Sequence, residues 1–197
     1  WGSDIVDWTC SVTLIPWAIY EFYGDQTCLR DNYTEMKRHT DYWLSKFPEG
    51  LVGDAGLGDW VPHKAVANRE LSASIYHYKN ADIMSRTAKL FGYEEEYKYY
   101  KNEAEKIKAA INNKYLNKET GIYASGYQTE QSMPLYWGIV PEELKAKVEE
   151  RLSERVHMNK DHLDFGIMGC KTVLNALTES GHVEQAFRIV TQQDYPS

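Results

Sequence analysis

Four short stretches bring together side chains that can hold a polyhydroxylated ligand: WGSDIVDW (1–8), GDAGLGDWVPH (53–63), SGYQTEQ (125–131) and HLDFGIMG (162–169). Each combines glycine, a carboxylate or amide, and an aromatic ring. Glycine lets backbone approach a ligand or turn sharply, carboxylates and amides accept from and donate to hydroxyls, and a ring offers a flat apolar face. Together these are the ingredients of a sugar-binding cleft. Each residue also has a structural alternative: Asp4 and Asp7 suit helix N-caps, and Trp1 and Trp60 suit plugs in loops.

Other chemistries find little support. GDAGLGDW lacks the lysine and the serine or threonine of a phosphate-cradling loop and follows a helix rather than a strand. The six histidines, His39, His63, His77, His157, His162 and His182, show no i, i+4 pair and no neighbouring cysteine, so no metal site is expected. His63 and His162 stand out because they sit in long loops beside acids. No G-x-S-x-G nucleophile turn occurs. Cys10, Cys28 and Cys170 are odd in number and far apart, which gives neither a disulfide framework nor a zinc site; Cys10 and Cys170 read as small buried residues. A net charge of -7 argues against nucleic acid as a partner, and no apolar run is long enough for a spanning helix, so no membrane insertion is expected. The cellular compartment is not readable.

The elements that must position these stretches are helices. Residues 7–23 carry apolar groups on most faces and read as a buried helix with Pro16 as a kink. Gly24 and then Asp25 provide a C′ glycine and an N-cap, opening a more polar outer helix that ends near Lys46. Residues 70–91 and 94–115 form a second pair. QTEQSMPLYWGIV (128–140) and the helix opened by Pro141 form a third, and 166–180 with 182–193 a fourth. About eight helices and no convincing strand result. Short turns alternate with the long connections 47–69, 116–128 and 157–166, so the long loops gather at one end of paired inner and outer helices. The 43% hydrophobic content supports a real core, and 13% aromatic residues, fifteen of them tyrosine and six tryptophan, leave placement to decide their use.

The order of segments resembles the catalytic domain of family 78 glycoside hydrolases, the bacterial α-L-rhamnosidases. The resemblance rests on Trp1 to Asp4, Pro16 to Asp25, Gly58 to Trp60, Gln128 to Pro141, Gly166 to Gly169, Gly181-His182 and the closing QQDYPS. It covers essentially the whole chain. It implies an all-α fold, an incomplete (α/α)6 toroid with about eight of twelve helices, residues 1–197 being part of a single helical-barrel domain truncated at both ends. It also implies a cofactor-free inverting hydrolase that releases terminal rhamnose from an oligosaccharide or glycoside. Such a mechanism uses two carboxyl groups roughly 6.5–9.5 Å apart. The family carries both acids outside the segments matched, so no catalytic residue is assigned within this chain and the isolated piece is expected to be inactive. The sugar pocket does carry over: Trp1 and Trp60 as apolar walls, Asp59 as a loop brace or hydroxyl partner, with Asp4, Gln128 and His162 as further contacts and Asp164 beside the last. Glu130 and Gln131 depart from the small apolar residues the family more often has there. The competing expectations are a helical-toroid glycosidase for another sugar and a non-catalytic helical-repeat scaffold; the uneven starts of the inner helices disfavour the latter. Apolar inner faces at the two open ends are expected to drive self-association.

Overall fold

The computed structural model describes residues 5–196, so Trp1 and Asp4 lie outside the described residues. Nine α-helices are present among them: α1 (Val6–Thr9), α2 (Ser11–Tyr23), α3 (Thr27–Lys46), α4 (Arg69–Phe91), α5 (Glu94–Tyr115), α6 (Gln128–Tyr136), α7 (Lys145–Met158), α8 (Ile167–Glu179) and α9 (Val183–Val190). A two-residue antiparallel pair, β1 (Leu116–Asn117) with β2 (Ile122–Tyr123), closes the turn after α5. The segment expected as one helix over 7–23 divides at Cys10, whose carbonyl accepts from both Thr13 and Leu14 amides at 3.0 and 2.9 Å. Pro16 lies inside α2. Gly24 ends that helix at φ 70, a left-handed conformation that costs an L side chain but not glycine, and Asp25 Oδ1 accepts the Thr27 amide at 2.8 Å to open α3.

The described residues form two compact units, residues 5–57 with 73–111, and residues 58–72 with 112–196. In the first, Trp43 is buried among Val6, Val52 and Ala73 and stacks on Phe47 at 5.9 Å between ring centroids. Asp7 belongs to the same unit, and its Oδ2 accepts the Leu57 amide at 2.9 Å. In the second, Leu152 and Val156 of α7 pack with Phe165, with Val173 and Leu177 of α8, and with Ile189 of α9. Each such side chain removed from water contributes about 1.5–3 kcal/mol. Helical spacing explains the arrangement: Val148, Leu152 and Val156, at i, i+4 and i+8, lie on one face of α7 and all three are buried.

Helix α6 breaks that pattern. All of Gln128 to Pro134 are buried, although each of the first five carries an amide, hydroxyl or carboxyl group. Burying them costs stability unless each finds a partner. Their partners are the surrounding loops.

Candidate functional site

Within the second unit, four consecutive residues at the start of α6 reach four different pieces of chain. Gln128 donates through Nε2 to the His162 carbonyl at 3.0 Å, and its Oε1 accepts the Asp164 amide at 3.3 Å. Thr129 donates to Asp59 Oδ2 at 2.5 Å. Glu130 accepts the Asn68 amide on one oxygen at 2.9 Å, and the Ser125 and Tyr127 amides on the other at 2.9 and 3.1 Å. Gln131 accepts the Tyr123 amide at 2.6 Å and donates to the Gly121 carbonyl at 3.1 Å. Burial pushes the Glu130 carboxyl above its ordinary range, while the amides of Asn68, Tyr127, Ser125 and Gly126 pull it back.

The loop 58–68 is therefore fastened at both ends to neighbouring residues of α6: Thr129 holds Asp59 and Glu130 holds Asn68. A second fastening comes from α8. Gly166, Met168 and Gly169 donate their amides to the Asp59 carboxylate at 2.8, 2.8 and 3.4 Å, and the Ile167 amide donates to the Trp60 carbonyl at 3.0 Å. These are the amides that the start of a helix leaves without intrahelical partners, and a buried carboxylate also suits the positive end of the helix dipole. The approach is so close that a Cβ on Gly166 would stand 2.1 Å from the Trp60 carbonyl oxygen, and one on Gly169 would stand 2.6 Å from Thr129 Oγ1. The two glycines of the Gly166–Gly169 segment are explained by that contact.

The fastened loop presents the Trp60 side chain with 48% of its surface exposed, while Asp59 beside it is buried. Beyond Trp60, Val61 and Lys64 adopt left-handed backbone at φ 58 and 65. Non-glycine residues rarely do so, and a loop held at both ends can impose it. His63, Lys64, Tyr127, Arg155, His162 and Asp164 line a cleft of about 570 Å³ together with residues 194–196. Arg155 lies 5.0 Å above the Tyr127 ring centroid and donates to Asp164 Oδ2 through Nη2 at 3.1 Å. Burial raises the Asp164 carboxyl above its ordinary value, against the lowering influence of Arg155. His162 uses one ring nitrogen on the Lys160 carbonyl at 2.9 Å and the other on Asp194 Oδ1 at 3.1 Å; that hydrogen bond holds Asp194 below the usual carboxylate range.

Of the residues expected at a sugar site, Asp59, Trp60, Gln128 and His162 all fall in this unit and are linked through the start of α6 and the start of α8. Asp59 and Gln128 spend their polar atoms on neighbouring chain, Trp60 is half exposed, and His162 lines the cleft. Trp1 and Asp4 lie outside the described residues. Thr129 and Arg155 were not singled out from sequence, and Glu130 only as a departure from the family's small apolar residues, although the polar QTEQ run opening an otherwise apolar helix was the available signal. Cys10 is buried as expected, but Cys170 is exposed because its position on α8 shares the outward face with Ile167. Among the described residues no helix is long and apolar enough to cross a membrane.

The whole chain, residues 1–197, matches the sequence family described as the bacterial alpha-L-rhamnosidase 6 hairpin glycosidase domain. It is 30% identical over 204 residues to an alpha-L-rhamnosidase of Formosa agariphila, covering 98% of this chain and 21% of that protein. The structure of an alpha-L-rhamnosidase from Dictyoglumus thermophilum superposes with a TM-score of 0.89 at 34% identity, covering 96% of this chain and 22% of that one. The Streptomyces avermitilis alpha-L-rhamnosidase complexed with L-rhamnose gives a TM-score of 0.89 at 26% identity, over 95% of this chain and 18% of that one. The chain thus spans about a fifth of the length of the relatives it matches. In each of the sequential pairs α2–α3, α6–α7 and α8–α9 the two helices pack against each other, as the all-α six-hairpin architecture of that family requires.

Proposed function

The chain belongs to the bacterial α-L-rhamnosidase six-hairpin glycosidase domain family, and from that membership we propose that the protein carrying it hydrolyses terminal α-L-rhamnosides. The observation that carries the proposal is the half-exposed Trp60 on a loop whose backbone is fastened to both α6 and α8. A rigid indole face is suited to the apolar side and methyl group of a deoxysugar, and a preset loop loses little entropy when the sugar docks. The relative from Streptomyces avermitilis, complexed with L-rhamnose, supports the choice of sugar.

Trp1 is assigned as a second wall and Asp4 as a hydroxyl partner, both by resemblance. Asp59 and Gln128 serve the sugar indirectly, Asp59 by fixing the loop under Trp60 and Gln128 by fixing residues 162–164. His162 is assigned a contact at the cleft wall. No proton-transfer role falls on Asp59, Glu130 or Asp164, since backbone amides or Arg155 already engage each carboxylate. The general acid and the water-activating base lie in other segments of the protein. Inversion follows from one carboxyl protonating the leaving oxygen while the other activates water on the opposite face.

Assay of the full-length protein on a panel of 4-nitrophenyl glycosides tests this. The α-L-rhamnoside is expected to be cleaved, with β-L-rhamnose appearing first by NMR. Preferential cleavage of another glycoside would overturn the assignment. The isolated 197-residue chain is expected to be inactive, and turnover by it would place the acids inside the chain after all.

A further inference from the structure

Val61 stands in a conformation that its own chemistry resists. Its φ of 58 lies in the left-handed region, where a β-branched side chain crowds the backbone, and Pro62 pushes the residue before it towards extended backbone instead. Of the five non-glycine residues with positive φ among those described, Val61 alone is β-branched. The surrounding contacts hold it there. The Trp60 carbonyl, part of the peptide unit that leads into Val61, accepts the Ile167 amide at 3.0 Å, and Gly166 leaves room for that carbonyl where any Cβ would stand 2.1 Å from it. Asp59 before it and Asn68 after it are fastened to Thr129 and Glu130. Strain of this kind persists only where the surroundings over-determine it, and it gathers at ligand sites because it pre-organises a contact.

The side chain held in this way returns little to the fold. Val61 is 73% exposed and adjoins Trp60, itself 48% exposed. Asparagine or glycine would occupy the same backbone with less strain and would suit an exposed loop better. What valine supplies instead is a branched apolar surface next to an indole. Such a surface favours a methyl group and opposes a hydroxyl, which would lose its water there without gaining a partner.

We propose that Val61 is a specificity-determining residue of the sugar site: beside Trp60 it meets the C6 methyl of the terminal sugar, and so selects a 6-deoxyhexose over the same ring carrying a 6-hydroxyl. The proposal rests on the rhamnoside assignment for the identity of the sugar, and on the strained, exposed valine for the residue that reads it.

The test uses the full-length protein and Val61→Asn, since asparagine tolerates left-handed backbone and replaces the two methyl groups with an amide. Val66→Asn is the control, because it removes a valine of 71% exposure from the same loop at a position that is not left-handed. The substrates are 4-nitrophenyl α-L-rhamnoside and 4-nitrophenyl α-L-mannoside, which differ by one hydroxyl at C6. In Val61→Asn, KM for the rhamnoside is expected to rise about four- to tenfold with kcat held within about twofold, as the loss of one or two apolar contacts dictates. The preference in kcat/KM for rhamnoside over mannoside is expected to fall by about the same factor. The unfolding temperature of Val61→Asn is expected at or above that of the wild type, because strain is relieved. A fall in that temperature would mean that the valine serves the fold and would count against the inference. Unchanged KM and preference in Val61→Asn, or an equal rise in Val66→Asn, would overturn the inference and leave the rhamnosidase assignment standing. Calorimetric titration with L-rhamnose and L-mannose reads the same contact without turnover. If no rhamnoside is cleaved but L-rhamnose binds about four- to tenfold more weakly to Val61→Asn than to the wild type, the role of Val61 is supported and the assigned activity is wrong. If the wild type binds neither sugar, both are overturned.

Discussion

Replacing Asp59 with asparagine keeps the shape of the side chain and removes its charge, so the response isolates what the carboxylate does. Asp59 Oδ1 accepts the Met168 amide at 2.8 Å and Gly169 at 3.4 Å, while Oδ2 accepts Gly166 at 2.8 Å and the Thr129 hydroxyl at 2.5 Å. An asparagine offers one oxygen and one NH2, so in either orientation a donor faces at least one buried backbone amide. Hydrogen bonds to a charged group contribute about 1.5–3 kcal/mol each, and the charge at the start of α8 adds about 0.3–1 kcal/mol. Losing one strong bond, weakening the others and leaving an amide unpaired gives about 3–5 kcal/mol for the joint between residues 58–62 and α8. At about 1.4 kcal/mol per tenfold, even the lower figure speeds local opening about a hundredfold. Hydrogen exchange read at the amides of residues 166–169 measures this directly. Exchange at least a hundredfold faster in Asp59→Asn, with α7 unchanged, is the expected result. A change below about threefold would refute the idea that this carboxylate fastens the loop.

Gly166→Ala places a Cβ 2.1 Å from the Trp60 carbonyl oxygen, so the backbones must part; a loss of about 1–3 kcal/mol is expected, seen as a drop of roughly 2–12 °C in the unfolding temperature. The buried His77 ring has its pKa lowered to about 4, first by burial and then by the charge of His39, with the Phe47 carbonyl opposing. It is neutral in the fold and titrates near 6.5 when unfolded, so its contribution is present above about pH 6.5 and is lost as pH falls towards 4, by up to about 3 kcal/mol. Urea midpoints across that window are expected to fall, and to fall less in His77→Phe. On α9, Val183, Phe187 and Val190 lie at i, i+4 and i+7 with 52%, 61% and 60% exposure, so the isolated 197-residue chain is expected to self-associate. Light scattering that shows a monomer at high concentration, or association unchanged by Phe187→Asp, would contradict this.

The helices were legible because their signals are local. The acidic start of Glu94–Tyr115, the Gly24 and Gly92 terminations and the apolar spacing of α7 each depend on neighbours within a turn or two. That Asp59, Trp60, Gln128 and His162 belong to long connections, or to the helix start that follows one, was also legible from the glycine, acid and ring content of those stretches. What the side chains do there was not. Asp59 meets Gly166 across 107 residues, a pairing that no spacing rule can supply. Glu130 and Gln131 looked like departures from an apolar helix, yet buried polar groups are tolerated when loops complete them, and those loops belong to distant sequence. The position of the break at Cys10, six residues before Pro16, likewise depends on how α1 is held, its first amide donating to the Ala55 carbonyl.

A crystal structure of the full-length protein with L-rhamnose bound tests most directly whether the loop fastened by Asp59 and Glu130 exists to present Trp60 to this sugar. The rhamnose ring is expected within van der Waals reach, about 4 Å, of the Trp60 indole. A sugar seated elsewhere, with Trp60 turned away and untouched, would contradict it.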